Sequence, residues 1–279
     1  MAKHYGRCAL CGKEGELTFE HIPPRKAFNW FPQRTISGDT WLNSVSDPLR
    51  KPWDVEDLQY NNLQRGLGAH SLCQKCNNFT GARYGNEYVR FANGLHSLME
   101  KEQAKPGMTM YVESAEFRPL PAMKQIISMF CSMHCQMNTQ APMELLRKFV
   151  LDENSNDFPK DKFRLGMYLF HSGVMRRCPI TAMGMVGDNG IQFELISELV
   201  TYPVGYMLYF DPTENTKMPC PDITDFCNFR YDQEITIQIQ LPIYECNSMI
   251  VGDFRTKEEI EAKMNEKEDE GELSDEYHL

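Results

Sequence analysis

Two short cysteine pairs constrain this chain more than any other feature of its sequence. Cys8 and Cys11 enclose two residues, and so do Cys73 and Cys76. Each C-x2-C pair brings two thiolates within reach of one ion, and two such pairs complete the four-sulfur shell that is typical of structural zinc. Residues 1–90, which carry both pairs, show little sustained hydrophobic periodicity and need a staple other than an ordinary core. We therefore predict one structural Zn2+ on these four cysteines.

Composition and charge indicate the cellular compartment of the chain and the kinds of partner that suit it. The ten cysteines, together with a start that lacks the apolar stretch of a signal peptide, favour a reducing, cytoplasmic location. No run of about 18 apolar residues is present, so we expect no membrane partner. The formal net charge is −10, but residues 1–90 hold 12 Lys+Arg against 9 Asp+Glu, while residues 91–279 hold 17 against 30. Because residues 1–90 carry a net positive charge, nucleic acid is a candidate partner although the whole chain is acidic.

Hydrophobic periodicity divides the rest of the chain and predicts an α+β fold. Residues 91–160 are predicted as a helical region, because apolar residues recur at helical spacing from Tyr88 to Met99 and from Met123 to Met133. Residues 161–252 alternate with period two and are predicted as an antiparallel β-rich region packed on the helices. A hairpin is predicted at Gly187–Gly190.

The C-terminal stretch, residues 253–279, is predicted to be an acidic tail, with 11 acidic against 4 basic residues. It is interpreted as solvated and frayed. A charged helix over 257–270 stays open, with Ile260 and Met264 as its apolar contacts. An arm that competes with nucleic acid for a basic surface is the functional alternative.

A second motif lies between and beside the cysteine pairs. The sequence Phe19-Glu20-His21-Ile22-Pro23-Pro24 stands between them, and Asn77 directly follows Cys76. The order C-x2-C, acid-His-Ile-x-Pro, C-x2-C-Asn resembles the HNH, or His-Me finger, endonucleases, and most of all their zinc-stapled branch, which includes phage Holliday-junction resolvases. The resemblance covers about residues 5–90 and implies a ββα-metal domain at residues 1–90, in which a β-hairpin and a following helix hold one divalent cation.

The resemblance also implies roles for three residues. His21 would be the general base, Glu20 a metal ligand, and Asn77 a second ligand of a catalytic Mg2+ or Mn2+; Asn78 would replace Asn77 if the helix began one residue later. An imidazole with a pKa near 6.5 suits deprotonation of water at neutral pH, and a hard cation stabilises the charge on phosphate. Adjacent residues of a flat strand point to opposite faces, so we expect a bend at Glu20 and His21.

Several positions depart from the family pattern or leave it open. Many members carry Asp or His where this chain has Glu20, and either Asn61 or Asn62 could be the middle Asn that organises the loop. The long insertion, residues 29–64, is interpreted as an elaboration with its own small core, with a substrate loop as the alternative. Arg25, Lys26 and Arg83 are candidate substrate-binding residues, and Arg34, Arg65 and Arg90 add to the positive charge.

These observations predict a metal-dependent DNA endonuclease with a structural zinc and a catalytic Mg2+ or Mn2+. RNA stays open as a substrate. By analogy, a free-standing nuclease with an acidic second region suits a regulated antiphage or host-defence effector. The C-terminal region is expected to serve homo-oligomerisation, or to bind a regulatory ligand or protein. The alternative is a non-catalytic, zinc-stabilised module that binds nucleic acid or protein.

Overall fold

A computed structural model describes residues 3–47, 49–135, 140–187 and 190–275, and all statements below concern these ranges. The helices, in chain order, are α1 (Gly38–Ser44), α2 (Gln74–Thr80), α3 (Asn86–Lys101), α4 (Pro119–Met133), α5 (Gln140–Leu151) and α6 (Lys257–Asp275). The strands are β1 (His4–Arg7), β2 (Glu14–His21), β3 (Gln33–Thr35), β4 (Asn61–Leu63), β5 (Gly68–Cys73), β6 (Thr109–Phe117), β7 (Phe163–Gly173), β8 (Arg177–Gly187), β9 (Gly190–Thr201), β10 (Val204–Phe210) and β11 (Ile235–Cys246). The predicted α+β class is confirmed.

The N-terminal part is a small sheet followed by a helix. Strands β1, β2 and β5 form an antiparallel sheet in the order β1-β2-β5, and α2 begins directly after β5. A π-helical turn, Gly81–Gly85, then joins α2 to α3. The residues on both sides of this turn, Thr80 and Asn86, keep α-helical dihedral angles, so the backbone runs on from α2 into α3. Two antiparallel strands thus lead into one long helical segment.

The insertion between β2 and β5 contains elements of its own. Strands β3 and β4 pair as a two-stranded sheet, and α1 lies between them in the chain. Trp41 on α1 is buried, and its Nε1 donates a hydrogen bond to the Pro52 carbonyl oxygen at 2.8 Å. Trp30, in contrast, is 63% exposed. Within the described part of residues 29–64, Trp41 is the buried apolar side chain, and it lies outside the main apolar clusters, so the interpretation of the insertion as an elaboration with its own small core stays a prediction.

The middle of the chain provides three core helices and one strand. The apolar face of α3 is buried, α4 is buried along nearly its whole length, and α5 packs against α4. The prediction of a helical region over 91–160 is wrong for Thr109–Phe117, which is strand β6 paired with β11. Met110 and Val112 are buried while Tyr111 is exposed. This alternation, with Thr, Tyr and Val in succession, favours a strand.

The C-terminal sheet contains both strand directions. Its order is β6-β11-β7-β10-β9-β8, and β11 runs parallel to β7 while the other neighbours are antiparallel. The expectation of a purely antiparallel sheet is corrected at this pair. The physical reason is the connection 211–234, which carries a 3-10 helix at Thr224–Asn228 and takes the chain from one side of β7 to the other at the same end of the sheet. Strand β11 therefore runs opposite to β10, and so parallel to β7. Strands β8 and β9 form the predicted hairpin, whose turn residues Asp188 and Asn189 lie outside the described residues.

One continuous apolar cluster joins these parts. It extends from Cys8 and Leu72 in the N-terminal sheet through Tyr88 and Phe130 on the helices to Leu165 on the large sheet. None of the helices in the described ranges combines the length and the apolar composition that crossing a bilayer requires.

The acidic segment is a helix over much of its length, which corrects the interpretation as a frayed tail. Thr256 and Glu259 cap the start of α6: the Glu259 N–H donates to Thr256 Oγ1 at 3.2 Å, and the Thr256 N–H donates to Glu259 Oε2 at 2.8 Å. Ile260 is buried, and Glu261 forms an ion pair with Lys51 of the insertion. The first turns of α6 are therefore docked on the protein.

Candidate metal centres and active site

The four paired cysteines converge, as predicted. The sulfur atoms of Cys8, Cys11, Cys73 and Cys76 all lie within 4.8 Å of one another, and the Cys11 and Cys73 sulfurs are 3.8 Å apart. A tetrahedral zinc site with Zn–S bonds of about 2.3 Å requires sulfur–sulfur separations of about 3.8 Å. The tetrad could therefore hold a zinc ion. All four positions would be occupied by sulfur, which makes such a site structural.

Local backbone geometry builds the first knuckle. Gly12 has a φ of +70° and its N–H donates to the Cys8 carbonyl oxygen at 3.0 Å, which closes the tight turn around the pair. Arg147 of α5 donates through Nε to the Ala9 carbonyl oxygen at 2.8 Å. The knuckle is thus fixed both by its own turn and by the helical region.

The pKa values of the thiols show that ionising all four of them is unfavourable without a cation. Hydrogen bonds from the Cys76 thiol and from backbone N–H groups lower the pKa of Cys8 to about 4. The neighbouring Cys8 thiolate and burial raise the pKa of Cys76 in turn. Four thiolates at this spacing repel one another, and a divalent cation at their centre removes that repulsion.

Glu20, His21 and Asn77 meet in one cleft of about 220 Å³. Strand β2 pairs with β5 through a register shift between Thr18 and Phe19, just before the acid-His pair, and ends at His21. Both Glu20 and His21 line the cleft despite their adjacent positions. The irregularity precedes the pair, and Glu20 and His21 themselves pair in regular register with Ala69 and Gly68, so the bend expected at the pair stays a prediction.

Glu20 is a buried carboxylate without a protein partner. It is 7% exposed, and the structure gives its carboxylate no hydrogen bond or ion pair with the described residues. Burial raises the pKa of Glu20 to about 7. A carboxylate in such a position is stabilised in its charged form when a cation binds beside it.

The surroundings of His21 fix its tautomer. Nε2 lies 3.1 Å from the carbonyl oxygen of Arg65, and a carbonyl oxygen can only accept, so Nε2 carries the hydrogen. Nδ1 is then the basic nitrogen. Burial, followed by the nearby charges of Arg25 and Arg65, lowers the pKa of His21, which keeps the imidazole neutral near pH 7.

The side chain of Asn77 is oriented by β2. Its Nδ2 donates to the Phe19 carbonyl oxygen at 3.2 Å and to Thr18 Oγ1 at 2.9 Å. These bonds leave Oδ1 as the remaining donor atom for a cation. Asn78, the alternative ligand, instead accepts a hydrogen bond from Gln74 at 2.7 Å and is not among the residues that line the cleft.

The candidate substrate-binding residues separate into two groups. Arg25 and Lys26 line the cleft beside His21. Arg83 lies outside its lining, and its Nε forms an ion pair with Glu153 at 3.0 Å. The basic rim of the cleft is therefore formed by the two residues that directly follow the acid-His-Ile-Pro-Pro sequence.

One site residue, Asn29, was missed by the analysis of the sequence. It is buried, and its Nδ2 donates to the Pro23 carbonyl oxygen at 2.7 Å, which ties down the loop after His21. Asn61 and Asn62, the candidates for a loop-organising asparagine, lie exposed on β4. Gly66 has a φ of +87°, and a Cβ there would stand 2.4 Å from the Asn29 carbonyl oxygen. The apolar spacing around Asn29 gives no signal for this role, because its partners lie far along the chain.

Comparisons with protein-family models, with curated proteins and with solved structures found no match to this chain. The chemistry of the site therefore has to be argued from its own residues. The carboxylate of Glu20 and the amide oxygen of Asn77 are hard oxygen donors of the kind that Mg2+ and Mn2+ prefer. With a neutral imidazole beside them, the residues fit a site that holds one hydrated divalent cation and removes a proton from water.

Proposed function

We propose that the chain is a metal-dependent DNA endonuclease, and that residues 1–90 form a zinc-stapled HNH finger. The observation that carries the proposal is the meeting of Glu20, His21 and Asn77 in one cleft, on two antiparallel strands and the helix that follows them. Arg25 and Lys26 on the rim supply positive charge for phosphates. A purely structural zinc knuckle does not need Glu20, His21 or Asn77.

In the proposed reaction, His21 takes a proton from the attacking water through Nδ1. The hydrogen bond from Nε2 to the Arg65 carbonyl oxygen holds the ring and stabilises the imidazolium that forms. Glu20 and Asn77 would hold the divalent cation, and Asn77 is kept in place by its bonds to β2. The cation, when bound, stabilises the negative charge on the phosphate and on the leaving oxygen.

The four cysteines have a separate role in this proposal. A Zn2+ on Cys8, Cys11, Cys73 and Cys76 links β5 and the start of α2 to the N-terminal knuckle. The strand pair and helix that position the cation ligands would then be held by the zinc, which supplies folding free energy to a region without sustained hydrophobic periodicity.

The test is nicking of a supercoiled plasmid with Mg2+ or Mn2+, with EDTA as the negative control. Linear, branched and single-stranded DNA and an RNA substrate define what is cut. His21→Ala should lower the rate by about 10²–10⁴-fold while zinc content, folding and DNA binding are retained.

His70→Ala is the matched control variant. His70 lies on β5, stacks on His4 with ring centroids 3.6 Å apart, and is not among the residues that line the cleft. It should cut at nearly the wild-type rate. Cleavage by His21→Ala at the wild-type rate would refute the assignment of the base. A wild-type protein that binds DNA but cuts no nucleic acid with any divalent cation would favour the non-catalytic binding module instead.

A further inference from the structure

One buried carboxamide at the edge of the cleft has an oxygen that accepts no hydrogen bond within the described part of the chain. Gln125 lies on α4 and is 1% exposed, yet it lines the same cleft as Glu20, His21 and Asn77. Its Oε1 atom is buried and accepts no hydrogen bond from the described residues. A buried polar atom without a partner destabilises a fold unless a ligand satisfies it. Gln125 therefore indicates a ligand contact that the N-terminal sheet does not provide.

The position of Gln125 is fixed by its neighbours on α4. Lys124 is buried and donates from Nζ to the carbonyl oxygens of Phe149 and of Asp152, the latter at 2.8 Å. At the start of the helix, the Arg118 N–H donates to Glu87 Oε1 of α3 at 2.8 Å. Because both anchors hold α4, the backbone at Gln125 is held beside the cleft.

The neighbouring wall of the cleft carries two glycines. Gly81 and Gly85, at the two ends of the π-helical turn, also line the cleft. A Cβ at Gly85 would stand 3.9 Å from Gln125 Oε1, in van der Waals contact with it. The glycine thus leaves the space beside this buried oxygen free of a side chain from residue 85, and π-helical turns are frequent at functional sites.

The chemistry of Oε1 selects the kind of ligand. A carbonyl oxygen accepts hydrogen bonds, so its partner must be a donor. A DNA phosphodiester carries no proton at neutral pH and cannot donate. A hydrated divalent cation can, because Mg2+ keeps several of its waters when one or two protein groups bind it, and those waters are strong donors.

We propose that Gln125 is a positioning residue whose Oε1 accepts a hydrogen bond from a water of the divalent cation held by Glu20 and Asn77. This inference rests on the proposed function. It assigns part of the cation site to the helical region, beyond residues 1–90. Helix α4 thereby couples the packing of the rest of the chain to the geometry of the site.

Mn2+ binding to the full-length, zinc-loaded protein tests the proposal without any nucleic acid. Titration of free Mn2+ by electron paramagnetic resonance gives the affinity. Gln125→Met keeps the shape but removes the acceptor, and should weaken Mn2+ binding by about 10- to 100-fold, the effect typical of groups that hold a metal-bound ligand. Its unfolding midpoint in urea, without added divalent cation, should equal or exceed that of the wild type, because an unpaired buried amide is gone.

Two further variants make the test specific. Gln125→Glu keeps an acceptor at the same place and should bind Mn2+ at least as tightly as the wild type. Ser128→Ala removes another buried, unpaired oxygen of α4 that is not among the groups lining the cleft, and should leave Mn2+ affinity unchanged.

The outcomes separate this proposal from the proposed function. Wild-type Mn2+ affinity in Gln125→Met would overturn the role of Gln125 even if the protein cuts DNA. Weaker DNA binding by Gln125→Met with unchanged Mn2+ affinity would also overturn it, in favour of a phosphate contact through Nε2. Mn2+ binding that depends on both Glu20 and Gln125, in a protein that cuts no nucleic acid, would support Gln125 and refute the nuclease. A wild type that shows no Mn2+ binding dependent on Glu20 would overturn both.

Discussion

The carboxamide of Asn29 pairs with the backbone of Leu67 as a neighbouring strand would. Asn29 Oδ1 accepts from the Leu67 N–H at 2.6 Å, and Asn29 Nδ2 donates to the Leu67 carbonyl oxygen at 2.8 Å, although the two residues are 38 positions apart. The Ile22 N–H donates to the same carbonyl oxygen at 3.0 Å. Asn29 therefore joins the loop after His21 to the chain just before β5.

Replacing Asn29 by alanine should both destabilise the protein and lower its activity. The change leaves the buried Leu67 N–H and the Pro23 carbonyl oxygen without their partner, and each such group costs about 1–3 kcal/mol. Urea denaturation measures the free energy of unfolding. Asn62→Ala is the matched control, since Asn62 lies exposed on β4, and it should change stability by less than about 0.5 kcal/mol. Equal effects in both variants would contradict the role given to Asn29.

Removing one cysteine of the tetrad should release the zinc. Cys73→Ser is expected to lose the metal and the protection of amide hydrogens in β1, β2, β5 and α2, because the zinc links these elements. The amides of β7 and β10, which pair along their length in the large sheet, should stay protected. Elemental analysis and hydrogen exchange measure the two effects. Cys135→Ser is the control, since Cys135 lies outside the tetrad and should leave one zinc per chain. A freshly purified wild type without zinc would refute the site.

Replacing Glu20 and replacing His21 should each abolish cleavage, but for different reasons. Glu20→Gln should be inactive and bind Mn2+ poorly, because the carboxylate that attracts the cation is gone. His21→Ala should be inactive but bind Mn2+ as the wild type does, since the imidazole removes a proton rather than holding the ion. Mn2+ titration beside plasmid nicking separates the two. Identical Mn2+ affinities in both variants would contradict the assignment of Glu20 as a ligand.

Asn77 and Asn78 offer a further comparison on one helix. Asn77→Ala should lower activity more than it lowers thermal stability, and raised Mn2+ should recover part of the activity, because Mn2+ tolerates weaker ligand sets than Mg2+. Asn78→Ala should cut like the wild type, since Asn78 is bonded to Gln74 on the helix surface. The reverse result would move the ligand by one residue.

The acidic helix should divide into a docked start and a dispensable end. Deleting 265–279 keeps Ile260 and the ion pair between Lys51 and Glu261, so the free energy of unfolding should change by less than about 0.5 kcal/mol. Ile260→Ala should cost about 2–5 kcal/mol if its site does not collapse. Filter binding to DNA reports on shielding: a deletion that raises affinity and steepens the salt dependence would show that the helix competes with phosphates.

Much of the fold follows from local patterns. The alternation from Phe163 onward predicted strands close to the observed β7, β8, β9 and β10, because residues on one face of a strand recur with period two. Helices α3 and α4 were indicated by spacing in the same way. Strand β6 was missed because its alternation is short and lies between two helical patterns, so its state is set by pairing with β11.

The candidate site shows the same division. The two C-x2-C pairs predicted the convergence of four sulfurs, because the short spacing within each pair forces its thiols together. Glu20, His21 and Asn77 could be named because the order of the motifs resembles that of the HNH endonucleases. The sequence could not show whether Arg83 is free to bind substrate. Its ion pair with Glu153 depends on where the chain goes after α5.

The two C-x2-C pairs, the acid-His pair between them, and the apolar faces of the principal helices and strands could all be predicted from the sequence, because each depends on residues close together in the chain. Folding was needed to show that Asn29 rather than Asn61 or Asn62 holds the loop after His21, that β11 runs parallel to β7, and that Gln125 lines the cleft. Each of these depends on contacts between residues far apart in sequence. Such contacts leave no periodic pattern, because only the folded packing of β5, α4 and the large sheet brings the partners together.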